Sequence, residues 1–180
     1  MSKRAQPNIV TGEGLIVSEF AQPLESISLV DHRGGMRVVA GAAASARLVM
    51  FVPMAFTPVC ADEIGTLVQL VAEAREAASA PPSFVQPEVL VVSTDTSATL
   101  RAWLHELGVV SVVSGCSDFW PHGRAARAYD AFDESAGTAT RKSFLVRPDG
   151  SYRLVASARP GEARGRSEHA TALHLLAEGL

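Results

Sequence analysis

The sequence predicts an α/β layered fold, a central sheet with parallel neighbours flanked by helices, and three observations carry that reading. Leu48 to Val52 and Glu88 to Ser93 are dense apolar runs, too short for helices and uninterrupted enough to be strands buried on both faces. Each run leads into a segment with apolar residues at helical spacing, which gives a strand, helix, strand, helix order. Polar turns between short strand-like segments mark one hairpin before this core and another after it.

The elements follow in order. Met1 to about Gln22 has no clear period and holds Pro7, Gly12 and Gly14. Residues 1–22 are therefore expected to form an arm, with a short strand at Leu15 to Val17, and residues 23–180 a single domain. At 180 residues the chain suits one domain, which buries roughly 70% of its unfolded surface without staples. Ser26 to Val30 alternates like a strand, Asp31 to Gly35 is a polar turn, and Met36 to Val39 returns, making an N-terminal hairpin. Pro53 ends the buried strand. The period of Ile64, Leu67, Val68 and Val71 predicts a helix from Ala61 to about Ala78, with Asp62 and Glu63 in its first turn, where carboxylates complement the macrodipole. Ser79 to Pro87 contains three prolines and reads as a loop.

Asp95, Thr96 and Ser97 offer N-caps for a helix through Leu107, with Leu100, Trp103, Leu104 and Leu107 on its apolar face and Gly108 as its stop. Val109 to Val113 suits a strand or a loop, Cys116 to Gly123 a loop, and Arg124 to Tyr129 a short helix. Arg141 to Val146, a tight turn at residues 147–150, and Ser151 to Ala156 form the closing hairpin. Arg159 to Gly165 is a loop before a last helix, Glu168 to Ala177, that presents Leu173 and Leu176 to the sheet.

Composition narrows the function. With 16 basic against 19 acidic residues and no basic stripe, nucleic acid and anionic membranes are not expected partners. The longest apolar stretch, Leu48 to Phe56, is far short of a membrane span, and Leu15 to Val17 is too short for a signal-peptide core. A cytoplasmic location is expected. The two cysteines, Cys60 and Cys116, form no C-x-x-C pair, which argues against a cysteine zinc site, a dithiol redox motif or a structural disulfide. His32, His105, His122, His169 and His174 are scattered, so neither a metal site nor a cofactor is expected.

Cys60 is the candidate nucleophile. It lies where the buried strand, a proline-bounded turn and a helix N-terminus meet, and unpaired N–H groups and partial positive charge at such an end favour a thiolate. Thr57, one turn earlier, offers a hydroxyl to a small polar substrate. Pro53 lacks an N–H and would shield the sulfur. Against this stands the common role of a lone cysteine as a small buried hydrophobe.

The pattern Pro53-x-x-x-Thr57-x-x-Cys60 resembles the active-site motif of the peroxiredoxins, thiol peroxidases on a thioredoxin-like fold. The likeness spans roughly Ser26 to Leu176. Val92-Ser93-Thr94-Asp95 followed by Trp103 resembles that family's second strand and helix. Ser117 to Gly123, then Tyr129, resembles the one-cysteine branch called alkyl hydroperoxide reductase E. Arg141, opening a strand, matches the position of the family's second catalytic residue. The resemblance implies a thioredoxin-like fold, a central mixed sheet flanked by helices with an N-terminal hairpin extension.

It also implies roles. Cys60 would be the peroxidatic thiolate, Arg141 the guanidinium that favours it and binds peroxide, Thr57 a hydrogen-bond partner of the peroxide oxygens, Pro53 a shield and Glu63 the carboxylate that holds the arginine. For Glu63 the plainer alternative is compensation of the helix dipole. The implied partners are a hydroperoxide substrate, an external thiol reductant, either a low-molecular-weight thiol or a glutaredoxin- or thioredoxin-like protein, and a second copy in a homodimer. Two features depart from the family: Cys116 stands where an apolar residue is expected, and the usual Ala-Pro-Asp-Phe before the first strand is missing. Cys116 is read as a buried structural thiol, the alternative being a resolving role that would need its Cα within about 7 Å of that of Cys60 after local unfolding. Two other classes stay open on sequence, a peroxide-sensing regulator and a non-catalytic interaction protein on the same scaffold.

Overall fold

The computed structural model describes residues 19–77 and 88–177. The expected strand at Leu15 to Val17, the loop Ser79 to Pro87 and the last residue of the predicted first helix lie outside them. The chain runs β1 (Ile27–Asp31), β2 (Met36–Ala40), β3 (Arg47–Phe51), α1 (Pro58–Ala77), β4 (Glu88–Ser93), α2 (Ser97–Glu106), β5 (Ser114–Ser117), α3 (Arg124–Ala128), β6 (Phe132–Asp133), β7 (Thr138–Ala139), β8 (Arg141–Val146), β9 (Tyr152–Ala158) and α4 (Arg166–Ala177).

Seven strands form one mixed sheet in the order β2-β1-β5-β4-β3-β8-β9, and β6 pairs with β7 apart from it. The apolar runs make the parallel centre: β3 pairs with β4 and β4 with β5. The hairpins add antiparallel strands on both sides. Alternation along β3 divides the core. Leu48, Met50 and Val52 join Ile64, Leu67, Leu100, Trp103, Leu104 and Leu173 in a cluster with α1, α2 and α4. Val49 and Phe51 join Ile27, Leu29, Ala125, Ala126, Tyr129 and Phe144 in the cluster of the other face. Successive crossovers through α1 and α2 fall on one face because right-handed connections that advance in one direction across a sheet must do so.

Three boundaries differ from the sequence expectation. The first helix opens at Pro58, a residue whose fixed φ suits the first helical position, so Cys60 sits inside the first turn, and Asp62 and Glu63 lie beyond it. Val109 to Val113, which suits a strand or a loop, forms a turn, and the strand follows it as β5 at Ser114–Ser117, overlapping the segment read as a loop from Cys116. Small residues win there because β5 runs beneath α2: a Cβ on Gly115 would come within 2.7 Å of Leu104 Cδ1. The valines before it form a turn, with Val112 N–H donating to Val109 O at 2.9 Å, and their side chains plug the α2 cluster. The β6–β7 pair was not expected; these two-residue strands are too short to show a period.

Thr96 is the residue that caps α2, accepting from Thr99 N–H at 3.2 Å. Ahead of β1, Phe20 lies under Arg147 and Arg153, and Ala21 bridges Tyr152 on the edge strand β9. Tyr129, just past α3, donates its hydroxyl to Val39 O at 2.7 Å in the interior and so ties α3 to β2. Tyr129→Phe should therefore cost about 1–3 kcal/mol, the penalty of a buried carbonyl left unpaired, measured as a lowered urea midpoint with an unchanged slope.

Candidate active site

The site forms at the carboxyl end of β3, where Phe51 gives way to a turn at residues 53–57 and then to α1. Pro53 and Thr57 are half-buried in that turn. Thr57 Oγ1 donates to Met54 O at 3.1 Å, which closes the turn just before the helix. Phe56 stands at its tip with φ of 60°, a left-handed conformation unfavourable for a bulky residue. Two neighbours hold this strained turn: the Phe56 ring centroid lies 6.5 Å from that of Trp103, and Ala55 N–H donates to Asp95 Oδ2 at 2.8 Å. Asp95 also accepts from Ser93 Oγ, and its carbonyl accepts from Ser117 Oγ at 2.7 Å. The ends of β3, β4 and β5 are thus braced to one another around the turn.

Cys60 is fully buried in the α1 cluster. Glu63 follows it by three residues, so the two side chains share a helix face. Glu63 is buried too, and it is the centre of a charged cluster. Arg141 Nη1 donates to its Oε2 at 2.5 Å. Arg164, whose side chain is completely enclosed, donates Nε to Oε1 at 2.9 Å and Nη2 to Oε2 at 3.0 Å. The backbone N–H of Arg164 adds a bond to Oε1 at 2.8 Å. Burial pushes the Glu63 carboxyl up, but hydrogen bonds from Arg164 and the charges of Arg164 and Arg141 outweigh that and hold it below the usual carboxylate range. Glu63 therefore grips Arg141 rather than compensating the helix dipole.

Arg164 was not singled out from the sequence, where it is one of several arginines in a loop. Its Nη1 also donates to Phe51 O at 2.8 Å, Lys142 O at 3.1 Å and Ser143 Oγ at 3.1 Å, joining β3, β8 and α1. Burial pulls the Arg164 guanidinium below its usual range, against the hydrogen bond and charge of Glu63 and the nearby Cys60 sulfur. Arg141 keeps a buried Nε with no hydrogen-bond partner. Two guanidinium groups face one carboxylate, which leaves an excess positive charge in the interior beside Cys60 and a free donor on Arg141.

Cys116 is elsewhere. It belongs to the cluster on the opposite face of the sheet from Cys60, and burial pushes its thiol far up. Trp120 is not core: it is 80% exposed. His122 Nε2 meets Gly137 O at 2.7 Å, near the surface. Asp118 is buried and accepts from Ala125 and Ala126 N–H at 3.0 and 2.9 Å, which seats the start of α3. Among the described residues, no three His, Cys, Asp or Glu side chains are grouped as metal ligands, and no helix is long and apolar enough to cross a membrane.

A buried cysteine at a helix start, beside arginines held by a carboxylate and on a mixed sheet of this order, defines the class of thioredoxin-like thiol peroxidases. The profile of the AhpC/TSA family matches residues 21–155. Alkyl hydroperoxide reductase E of Mycobacterium tuberculosis is 32% identical over 143 residues, covering 79% of this chain and 81% of that protein. The crystal structure of Enterococcus faecalis AhpC superposes with a TM-score of 0.66 at 26% identity, covering 87% of this chain and 90% of the other. Mycobacterium tuberculosis AhpC shares the fold at 18% identity, with a TM-score of 0.65 and coverage of 89% and 98%. The chain belongs to the AhpC/TSA family: it is a peroxiredoxin, an enzyme of the thiol-dependent peroxidase class.

His169, buried against this cluster, makes the fold acid-sensitive. Burial, with Arg164 adding to it, pushes its imidazole down to about 4, whereas an unfolded chain protonates it near 6.5. Between those values the unfolded state binds more protons, so stability is full above about pH 6.5 and falls as pH drops toward 4, by about 3 kcal/mol. His32, lowered by burial, acts in the same direction. Glu63 adds its loss only at lower pH, below the ordinary carboxylate value. His169→Gln should flatten the decline, seen as a smaller difference between urea midpoints at pH 7 and pH 4.5.

Proposed function

We propose that this peroxiredoxin reduces hydrogen peroxide or organic hydroperoxides through Cys60, which is oxidised to sulfenic acid and returned to the thiol by an external reductant. The observation that carries the reading is the excess buried positive charge of Arg141 and Arg164 over Glu63, placed beside the only cysteine at a helix start. A sulfur anion balances that charge in a low-dielectric setting where water cannot.

The steps follow from the groups present. The Cys60 thiolate attacks one peroxide oxygen; the S–O bond forms as the O–O bond breaks, and the departing oxygen leaves as an alkoxide or hydroxide that takes up a proton. Arg141, with its unpartnered Nε, and Thr57 stabilise the charge growing on that oxygen, as oxyanion donors do. Pro53 contributes no N–H and screens the sulfur from water. Because Cys60 is fully enclosed, the turn at residues 53–57 has to yield for peroxide to enter, and its left-handed Phe56 stores strain at that point.

The sulfenic acid then condenses with an incoming thiol, releasing water and forming a mixed disulfide, and a second thiol displaces Cys60. Placement of Cys116 across the sheet supports a one-cysteine cycle. Both a low-molecular-weight thiol and a glutaredoxin- or thioredoxin-like protein fit this requirement. A homodimer is supported by exposed Met54, Phe56, Phe119 and Trp120, which flank the braced ends of β3 and β5, the kind of apolar surface that marks an interface. A cytoplasmic location follows from the reading of Cys60 and Cys116 as reduced thiols.

Cys60→Ser should abolish peroxide consumption and leave the circular-dichroism spectrum unchanged, while Cys116→Ser should retain turnover and show no disulfide after oxidation by mass spectrometry. Turnover retained in Cys60→Ser would sink the assignment. Arg141→Met should slow Cys60 oxidation by about a hundredfold, since loss of one oxyanion donor costs about 3 kcal/mol. Stopped-flow fluorescence of Trp103 and Trp120 reads that rate.

A further inference from the structure

His169 is 2% exposed on the first turn of α4, and the peroxide chemistry does not use it. Its Nε2 lies 2.8 Å from Ser143 Oγ. That oxygen already accepts from Arg164 Nη1, and a guanidinium can only donate. Ser143 Oγ has one proton and a second lone pair, so it pairs with Nε2 by donating to it or by accepting from it, according to the tautomer of the neutral imidazole. Either way the hydrogen bonds run without a break from Arg164 through Ser143 to His169. The charged groups facing the imidazole are Arg164 from the loop before α4, Glu63 from α1 and Glu168 from α4 itself; burial and Arg164 prevail over the two carboxylates and keep it neutral.

We propose that Ser143 and His169 are positioning residues of the peroxidase site, locking the Arg164 guanidinium and, through Glu63, the guanidinium of Arg141. The proposal rests on the reading of Cys60 and Arg141 given above. Arg164 Nη1 has two protons and three acceptors; Phe51 O and Lys142 O are set by backbone, whereas Ser143 Oγ is a rotor until a hydrogen-bond partner fixes it. His169 is that partner. Ser143 follows Arg141 by two residues on β8, so both side chains stand on one face of the strand. The tie therefore registers the two arginines on either side of Glu63. A site that stabilises charge on a breaking O–O bond depends on donor placement to a fraction of an ångström.

The test compares two reactions of the reduced protein at pH 7: oxidation of Cys60 by hydrogen peroxide and its alkylation by iodoacetamide. Both consume the thiolate, but only the first needs donors aimed at a departing oxygen, so their ratio isolates positioning. His169→Leu and Ser143→Ala should each lower the ratio about tenfold. His169→Gln, whose amide can accept from or donate to Ser143 Oγ, should keep the wild-type ratio, and the double variant His169→Leu with Ser143→Ala should be no slower than either single one, as expected for one linked device. A wild-type ratio in Ser143→Ala or His169→Leu, or losses that add in the double variant, overturns the proposal; if His169→Leu does not fold, Ser143→Ala decides. Slow oxidation of the wild-type protein itself removes the peroxidase reading and this proposal together, an outcome distinct from any change in the ratio.

Discussion

One buried carboxylate between two buried guanidinium groups organises this molecule. Glu63 accepts four hydrogen bonds, one from Arg141 and three from Arg164, so neither of its oxygens is left unpaired. Such a cluster is costly to desolvate and is tolerated only when its geometry is complete. Removing Glu63 would leave both guanidinium groups buried without a counter-charge. What the arrangement achieves is an unbalanced positive field at one point, the first turn of α1. It also ties together β3 through Phe51 O, β8 through Arg141 and Lys142 O, and the start of α4 through the Arg164 main chain.

The sheet supplies the second constraint, separation. Strand alternation places Cys60 among the residues of α1, α2 and α4, and Cys116 among those of α3, with the central strands between them. A disulfide needs Cα atoms within roughly 7 Å, whereas these two thiols pack in clusters on opposite faces of the sheet. The same layering gives the active-site turn its rigidity. Asp95 draws the ends of β3, β4 and β5 together, and α2 offers Trp103 as the wall against which Phe56 rests.

Charge and strain serve different stages. In the proposed cycle the arginine pair acts on sulfur and on the oxygen that leaves, whereas the left-handed Phe56 acts on access, since the enclosed cysteine would meet substrate only when the turn opens. Ser143 and His169, as proposed, belong to the first of these, reaching Arg164 through Ser143 Oγ.

Some of this was written in local sequence. The apolar runs at Leu48–Val52 and Glu88–Ser93 identify buried parallel strands because nothing else buries five residues in a row on both faces. Pro53, Thr57 and Cys60 are legible as a turn and helix start because proline, capping residues and helical period are local signals. Arg141 and Glu63 were found through family likeness, and their contact spans 78 positions of chain. Arg164 and His169 were not found, since a lone arginine in a loop and one of five scattered histidines have no period or spacing. β5 was misplaced because valines outrank Ser114, Gly115 and Cys116 in strand propensity, and only the closeness of α2 makes small residues the better fit. The sequence by itself determined the layered order of elements and the cysteine at a helix start, since both arise from neighbours along the chain. Tertiary structure alone decided which charges gather on the face of that cysteine and on which face of the sheet the other thiol lies, because those depend on strands and helices meeting across the sheet.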